Sequence, residues 1–331
     1  MKKSVKILLI VIASVAALAV AVSVAAVALV AFAWGGLNLV KFPLYSDYYE
    51  IKTDVCENPG LSDGFVCQGL CAEGEKFFVS GYMKDGSASR IYVTDKEDNS
   101  YYVLLRSPNG EDFTGHAGGV TSRGNVVYLA DDGMVHIISL TDLLGAENGG
   151  EVYIQESIEV NNAASFIYSD ENYIYVGEFH DGENYITDHP YTDPDEGEHY
   201  AIVSRYDPNE FVPRDDGEMT AIPDRIYSIR NKVQGICFAE GKVVMSTSYG
   251  LTDSVYYVYD EANAIDSGKT LDGVPVYFLG ECQREISGPA MAEGLEYYEG
   301  KVITLTESAS DKYIFGKFFF AEKIVALDIL K

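Results

Sequence analysis

Two stretches decide the fold: CQGLCAEGEKFFVS at residues 67–80 and VQGICFAEGKVVMS at residues 233–246. They align without a gap. Gln68 falls on Gln234, Gly69 on Gly235, Cys71 on Cys237, Lys76 on Lys242 and Ser80 on Ser246. Each reads as a short run of β-formers, a polar turn, and a second run, the signature of a hairpin. Self-similarity across so long an interval signals a repeat architecture.

The same pattern recurs three more times. One copy opens at Glu293-Gly294-Leu295 and runs through Gly300-Lys301-Val302-Ile303, repeating the six-residue step from Gly235 to Gly241. Another opens at Gly118-Gly119-Val120 and continues into Val126-Val127-Tyr128. The weakest opens at Ala164-Ser165-Phe166 and continues into Tyr173-Ile174-Tyr175. The anchors Gly69, Gly119, Ser165, Gly235 and Gly294 lie 50, 46, 70 and 59 residues apart. That is the spacing of propeller blades, each a four-stranded antiparallel sheet. A β-sandwich fits repeats of this regularity poorly. The expected fold class is therefore all-β, a five-bladed β-propeller over residues 48–331.

In the first unit the strands fall near 68–72, 76–82, 90–94 and 101–106. In the fourth unit 254–259 reads as the third strand and 274–280 as the outermost. The last unit lacks an outer strand, and residues 48–55 are a strand with no sheet of their own. Placing 48–55 on the last blade closes the ring and covers its edge.

Ahead of the body, Lys2, Lys3 and Lys6 precede an uncharged run over residues 7–33. It is long enough to span a bilayer as a helix. The basic flank, residues 1–6, belongs in the cytoplasm, with residues 34–47 as linker and the body outside. Ala31-Phe32-Ala33 also fits a small-x-small cleavage site, so a secretory signal is the competing reading, and both export the body. The expectation is a single-pass cell-membrane protein held by its N-terminal helix, with an extracytoplasmic C-terminal domain.

The formal net charge is −27, and 51 of the 331 residues are acidic. Setting aside Lys2, Lys3 and Lys6 leaves 21 of the 24 basic residues against those 51 acids, a net −30. Such a surface repels nucleic acid, which is excluded as a partner. It attracts cations, calcium among them. Cys56, Cys67, Cys71, Cys237 and Cys282 are odd in number and form no closed disulfide framework. Cys56 is within loop reach of Cys67 or Cys71, and buried thiols are the alternative.

Across residues 48–330 the chain resembles exported bacterial β-propeller repeat proteins, WD40-like or quinoprotein-like in the broad sense. The Gln-Gly or Gly-Gly start followed by a hairpin carries the resemblance. Neither a WD dipeptide nor a kelch double glycine recurs. The resemblance implies a fold and no reaction, although five-bladed propellers do host glycan-cleaving enzymes.

Residues entering the innermost strands of a propeller crowd its axis. Here Gln68, His116, Asn162, Gln234 and Glu293 form a candidate ring at the channel mouth, suited to a polar ligand or to ordered water. A second candidate is the insertion at 180–199, HDGENYITDHPYTDPDEGEH. Its His180, His189 and His199, with Asp181 and Asp188, have the donor chemistry for calcium or zinc, in a spacing that matches no established motif. The same run also reads as a solvated acidic loop. Asp131, Glu178, Glu293 and Glu307 are candidate carboxylates for hydrolysis. There is no GxSxG elbow and no phosphate-cradling loop. Two functions of different class follow: a membrane-anchored module binding a protein or glycan ligand, or a cell-surface glycan hydrolase using channel-mouth carboxylates.

Overall fold

The computed structural model describes residues 12, 14–29, 44–211, 220–319 and 321–331. The chain divides into two units, Met1–Ser46 and Asp47–Lys331. In the first, residues 14–29 are helical. No helix among the described residues is long and apolar enough to cross a membrane. The rest of the expected 7–33 span, its basic flank 1–6 and residues 34–43 of the expected linker lie outside the described residues.

The second unit is a five-bladed β-propeller. Blade 1 runs outward through Phe65–Glu73, Lys76–Met83, Arg90–Asp95 and Tyr101–Arg106. Blade 2 uses Gly119–Arg123, Val126–Asp131, Met134–Ser139 and Glu156–Glu159, and blade 3 uses Phe166–Ser169, Ile174–Gly177, Ala201–Tyr206 and Arg225–Ile229. Blade 4 uses Val233–Ala239, Lys242–Thr247, Ser254–Asp260 and Arg284–Gly288. Blade 5 uses Ala292–Tyr298, Lys301–Thr306 and Lys323–Leu327, and its outer strand is Lys52–Glu57 from the start of the unit. The ring therefore closes as the unpaired-strand reasoning expects. The expected strand at 48–55 is shifted, however. Residues Ser46–Ile51 form a helical turn first, and Tyr48 is buried against the Tyr256 ring, centroids 6.1 Å apart.

Two blades are wider than four strands, and one sequence assignment is corrected. In blade 4, 274–280 is not the outer strand. Val274–Phe278 leaves its blade and pairs in parallel with Arg225–Ile229, the outer strand of blade 3. Blade 2 does the same: Gly150–Tyr153 pairs in parallel with Tyr101–Arg106 of blade 1. Both excursions fall between a blade's third and fourth strands, and both cover the preceding blade's exposed edge, which an open sheet must protect.

The core lies between blades. Phe78, Ile91 and Val103 of blade 1 meet Val120, Val127 and Ile138 of blade 2, and Phe65, Phe77 and Val79 meet Ile303, Leu305 and Ile324 of blade 5. The repeated glycines sit where inner strands converge. A Cβ on Gly69 would lie 2.4 Å from the Val120 nitrogen, and one on Gly119 would lie 2.5 Å from the Ile167 nitrogen. On Gly294 it would lie 2.7 Å from the Leu70 nitrogen, back in blade 1. Glycine is required at these positions by close backbone approach. The repeated serines staple neighbours: Ser80 Oγ donates to the Ala117 carbonyl at 2.9 Å and Ser246 Oγ to the Glu293 carbonyl at 2.8 Å. All five cysteines are unpaired thiols, four of them buried.

Candidate functional site

The residue just before each ring anchor decides what faces the axis. Those residues are Gln68, Gly118, Ala164, Gln234 and Glu293, and all five line one axial cavity of about 880 Å³. In three blades the ladder slips at that point. In blade 1, Cys67 pairs with Gly81 and Gly69 with Ser80, leaving Gln68 unpaired. In blade 4, Val233 pairs with Thr247 and Gly235 with Ser246, leaving Gln234 unpaired. In blade 5 the slip lies between Ala292 and Leu295 and releases Glu293. A β-bulge re-aims the extra side chain, and here three bulges aim amide and carboxyl groups at one point. At that position blades 2 and 3 carry Gly118 and Ala164, so the repeat itself sends amide and carboxyl groups to the axis from blades 1, 4 and 5, while Asp131, Asp132 and the insertion add polar groups elsewhere in the lining.

The polar side is tied together. Gln68 Nε2 donates at 2.8 Å to both the Cys67 carbonyl and Glu307 Oε2. Gln234 Nε2 approaches Glu293 Oε1 at 3.4 Å. Burial, joined by the Glu307 charge, raises the Glu293 carboxyl well above its ordinary range. Burial also pushes Glu307 up to about 7, against the lowering pull of the Tyr313 hydroxyl, Lys312 and Gln68. Asp131 is raised by burial as well, although it accepts from the Ala117 N–H at 2.9 Å. His116 is pushed down to about 4 by burial and by Lys312. Its ring rests on Tyr82, centroids 4.4 Å apart. Lys312 donates to the Tyr82 hydroxyl and lies over both the Tyr82 and Tyr313 rings, at 4.6 and 5.1 Å.

Of the ring proposed from sequence, Gln68, His116, Gln234 and Glu293 come together in the cavity. Asn162 does not line it. Its Nδ2 donates to the Val176 carbonyl at 2.8 Å and its Oδ1 accepts from the Ala164 N–H at 2.9 Å, a structural bridge within blade 3. The true counterpart in that repeat is Ala164. Asp131 and Glu307 line the cavity too, whereas Glu178 is buried in blade 3. Sequence reasoning missed Tyr82, Lys312 and Tyr313, which lie in strand ends and loops outside the repeat marker.

The insertion forms a wall of this cavity through Asn184, Tyr185, Ile186 and Thr187. Its candidate metal ligands do not converge. Among the described residues no three His, Cys, Asp or Glu side chains form a metal-binding group. Instead His180, Asp181, His189 and His199 are fasteners. His180 Nδ1 lies 3.0 Å from Thr187 Oγ1 and accepts from the Thr187 N–H at 3.1 Å. Asp181 accepts from the Glu183, Asn184 and Tyr185 N–H groups at 2.8–2.9 Å, which hold its carboxyl low despite the opposing effect of desolvation. Asp188 is exposed. His189 Nδ1 meets buried Glu178 Oε1 at 2.5 Å, and His199 Nε2 meets Glu196 Oε2 at 3.3 Å. Burial opposes the charged form of His189, but Glu178 outweighs it and raises the imidazole.

These features define a five-bladed β-propeller with an asymmetric, acid-and-amide axial cavity. Its sequence matches no protein-family model and no curated protein. Solved structures that resemble it include glutaminyl cyclase from Myxococcus xanthus, at 11% identity over 83% of this chain and 95% of that one, TM-score 0.45. A GH43_1 enzyme from Xanthomonas citri has 10% identity over 78% of this chain and 84% of that one, TM-score 0.39. The WD40 propeller domain of Doa1 has 9% identity over 77% and 79%, TM-score 0.40. At such identities the likeness concerns the fold alone.

Proposed function

We propose that this chain is an extracytoplasmic recognition propeller, anchored through its N-terminal segment, that takes a small polar ligand into the axial cavity. The observation that carries the reading is the set of three bulges aiming Gln68, Gln234 and Glu293 at one point. A purely structural channel needs no such repeated re-aiming. The volume, about 880 Å³, lies within the usual range of ligand pockets. The anchor rests on Lys2, Lys3, Lys6 and the uncharged run after them. Calorimetric titration of the full-length chain with mixed ligand panels, with and without calcium, tests it. Gln68→Leu should abolish any binding seen, and binding untouched by that change would place the ligand elsewhere.

A second reading, a glycan hydrolase, is favoured by one observation: Glu293 and Glu307 share the cavity, and the charge of Glu307 raises Glu293. Two carboxyls whose ionisation is linked are the raw material of acid–base cleavage. Release of reducing ends from oligosaccharides, lost in Glu293→Gln, would establish it.

A further inference from the structure

We infer that the ligand of the axial cavity is a neutral polyhydroxylated molecule of about disaccharide size, hydrogen-bonded by blades 4, 5 and 1 and laid against the tyrosines of the insertion side. This rests on the recognition reading above and names its ligand class.

The charge pattern of the cavity rejects both signs. The chain carries −27 overall, so a cationic ligand would be the first guess. Yet the polar side is not presented as free carboxylates. Glu307 accepts from the Gln68 amide and the Tyr313 hydroxyl, and Glu293 from the Gln234 amide. Burial favours the protonated form of both acids, so they offer O–H as well as C=O. Lys312, standing over Tyr82 and Tyr313 in the same lining, repels a second cation. An anion would meet Asp131 and Asp132 in the same lining. What remains well matched is a neutral ligand rich in hydroxyls, which both donate and accept.

The shape agrees. Gln68 spends its Nε2 on Cys67 and Glu307, and its Oε1 takes part in neither bond. Elsewhere in the lining Gly118 and Ala164 put little or no side chain into the cavity, which keeps about 880 Å³ for a ligand. Aromatic surface is added by Phe179 at the entry to the insertion, Tyr185 within it and Tyr249 in the loop after Lys242–Thr247, all of which line the cavity. Tyr249 accepts from Asn184 Nδ2 at 2.9 Å, and Phe179 sits edge-on to Tyr185 at 5.5 Å, so these rings are pre-positioned. Aromatic faces supply apolar area against the C–H face of a sugar while carboxyls and amides take its hydroxyls.

The test is calorimetric titration of the full-length chain at pH 6.0 and 8.5. The probes are cellobiose, maltotriose and chitobiose, set against a uronic-acid disaccharide, spermidine and calcium chloride. We expect one neutral saccharide to bind at least tenfold tighter than any charged probe at pH 6.0, and to bind more weakly at pH 8.5, where Glu307 has lost the proton it donates. Gln234→Leu should weaken it at least tenfold. Tyr185→Ala, at a site 52% exposed where only the Phe179 contact is lost, should weaken it at least threefold while leaving the unfolding curve close to wild type. If spermidine, calcium or the uronate binds more tightly and that binding is lost in Gln234→Leu, the inference is overturned while the recognition reading stands. If no probe binds the wild type, both fall.

Discussion

Adding one methyl group at Gly119 should test the geometry of the whole ring. The Cβ of Gly119→Ala would lie 2.5 Å from the Ile167 nitrogen, 2.9 Å from Phe166 Cα and 3.0 Å from Phe166 C. All three are backbone atoms of the next blade's inner strand, so no side chain can swing aside. Ordinary contact needs about 1 Å more, and the blades must part to provide it. Overpacking of this kind costs about 1–3 kcal/mol. The upper end applies, because Phe166–Ser169 is fixed by its own ladder. The reduced freedom of the unfolded chain offsets about 0.4–1 kcal/mol. A net loss of about 2 kcal/mol follows, or roughly 3 °C in Tm for a domain of this size. Urea unfolding and calorimetry would measure it. Gly69→Ala should cost at least as much, since its Cβ would meet the Val120 nitrogen at 2.4 Å. Gly235→Ala should cost less, its nearest backbone atoms standing at 2.9 Å. Gly145→Ala, with open space around it, serves as control and should be neutral or slightly stabilising. A Gly119→Ala protein within about 0.5 kcal/mol of wild type would refute the close approach of blades 2 and 3.

Four further outcomes follow. Glu307 has a folded value of about 7 against an ordinary 4.5, so the fold holds its proton; that stabilisation is complete below pH 4.5 and lost as pH rises through 7, and Glu307→Gln should flatten this part of the stability–pH curve. His189 is raised by Glu178, so its contribution is complete below its ordinary 6.5 and lost above its folded value; His189→Ala should cost about 2 kcal/mol at pH 6 and clearly less at pH 9, measured by urea unfolding. Ser246→Ala should cost about 1 kcal/mol in the same assay by orphaning the Glu293 carbonyl, and should weaken ligand binding through the displaced bulge. Deleting residues 48–57 removes buried Tyr48 and Cys56 with the closing strand, about 4 kcal/mol and roughly 7 °C in Tm; an unchanged melting curve would show that the ring does not depend on that strand.

The blade count and the closing strand were legible because they are written in short-range pattern. Gly69 and Gly235 mark the same crowded point in two blades, and a chain end lacking a strand points to a strand lacking a sheet. The outer edges were not legible. Val274–Phe278 has the composition of a strand, and composition does not say whose edge it joins; Arg284–Gly288, less hydrophobic, takes the place it was assigned. The site was legible where it follows the repeat. Gln68, Gln234 and Glu293 precede ring anchors and face the axis. Asn162 was misplaced because Asn162 and Ala164 are two residues apart and both read as the start of a strand; Ala164, with φ 47°, is the one that turns toward the axis. The histidines of the insertion looked like ligands because their donor types fit, while their partners Thr187, Glu178 and Ser228 cannot be read from spacing.

The asymmetry of the ring explains why one side became a site. Five equal repeats would place five equivalent side chains on the axis, leaving little room for anything but water. Here blades 1, 4 and 5 keep the bulge and a polar residue, whereas blades 2 and 3 have Gly118 and Ala164. Blade 3 also departs from glycine at the anchor, where Ser165 Oγ accepts from the Phe179 N–H at 3.0 Å. That bond holds the start of the insertion against the inner strand, and the insertion then supplies the opposite wall. Loss of the repeat pattern in blade 3 and gain of the aromatic wall are therefore one structural event. A variant that shortens the 183–186 turn should leave the propeller folded, because Glu178 remains bonded to the Ala163 and Ile202 N–H groups at 3.3 and 3.1 Å. It should open the cavity on that side alone and weaken ligand binding. Loss of folding on shortening that turn would mean that the insertion is part of the blade rather than the wall of a site.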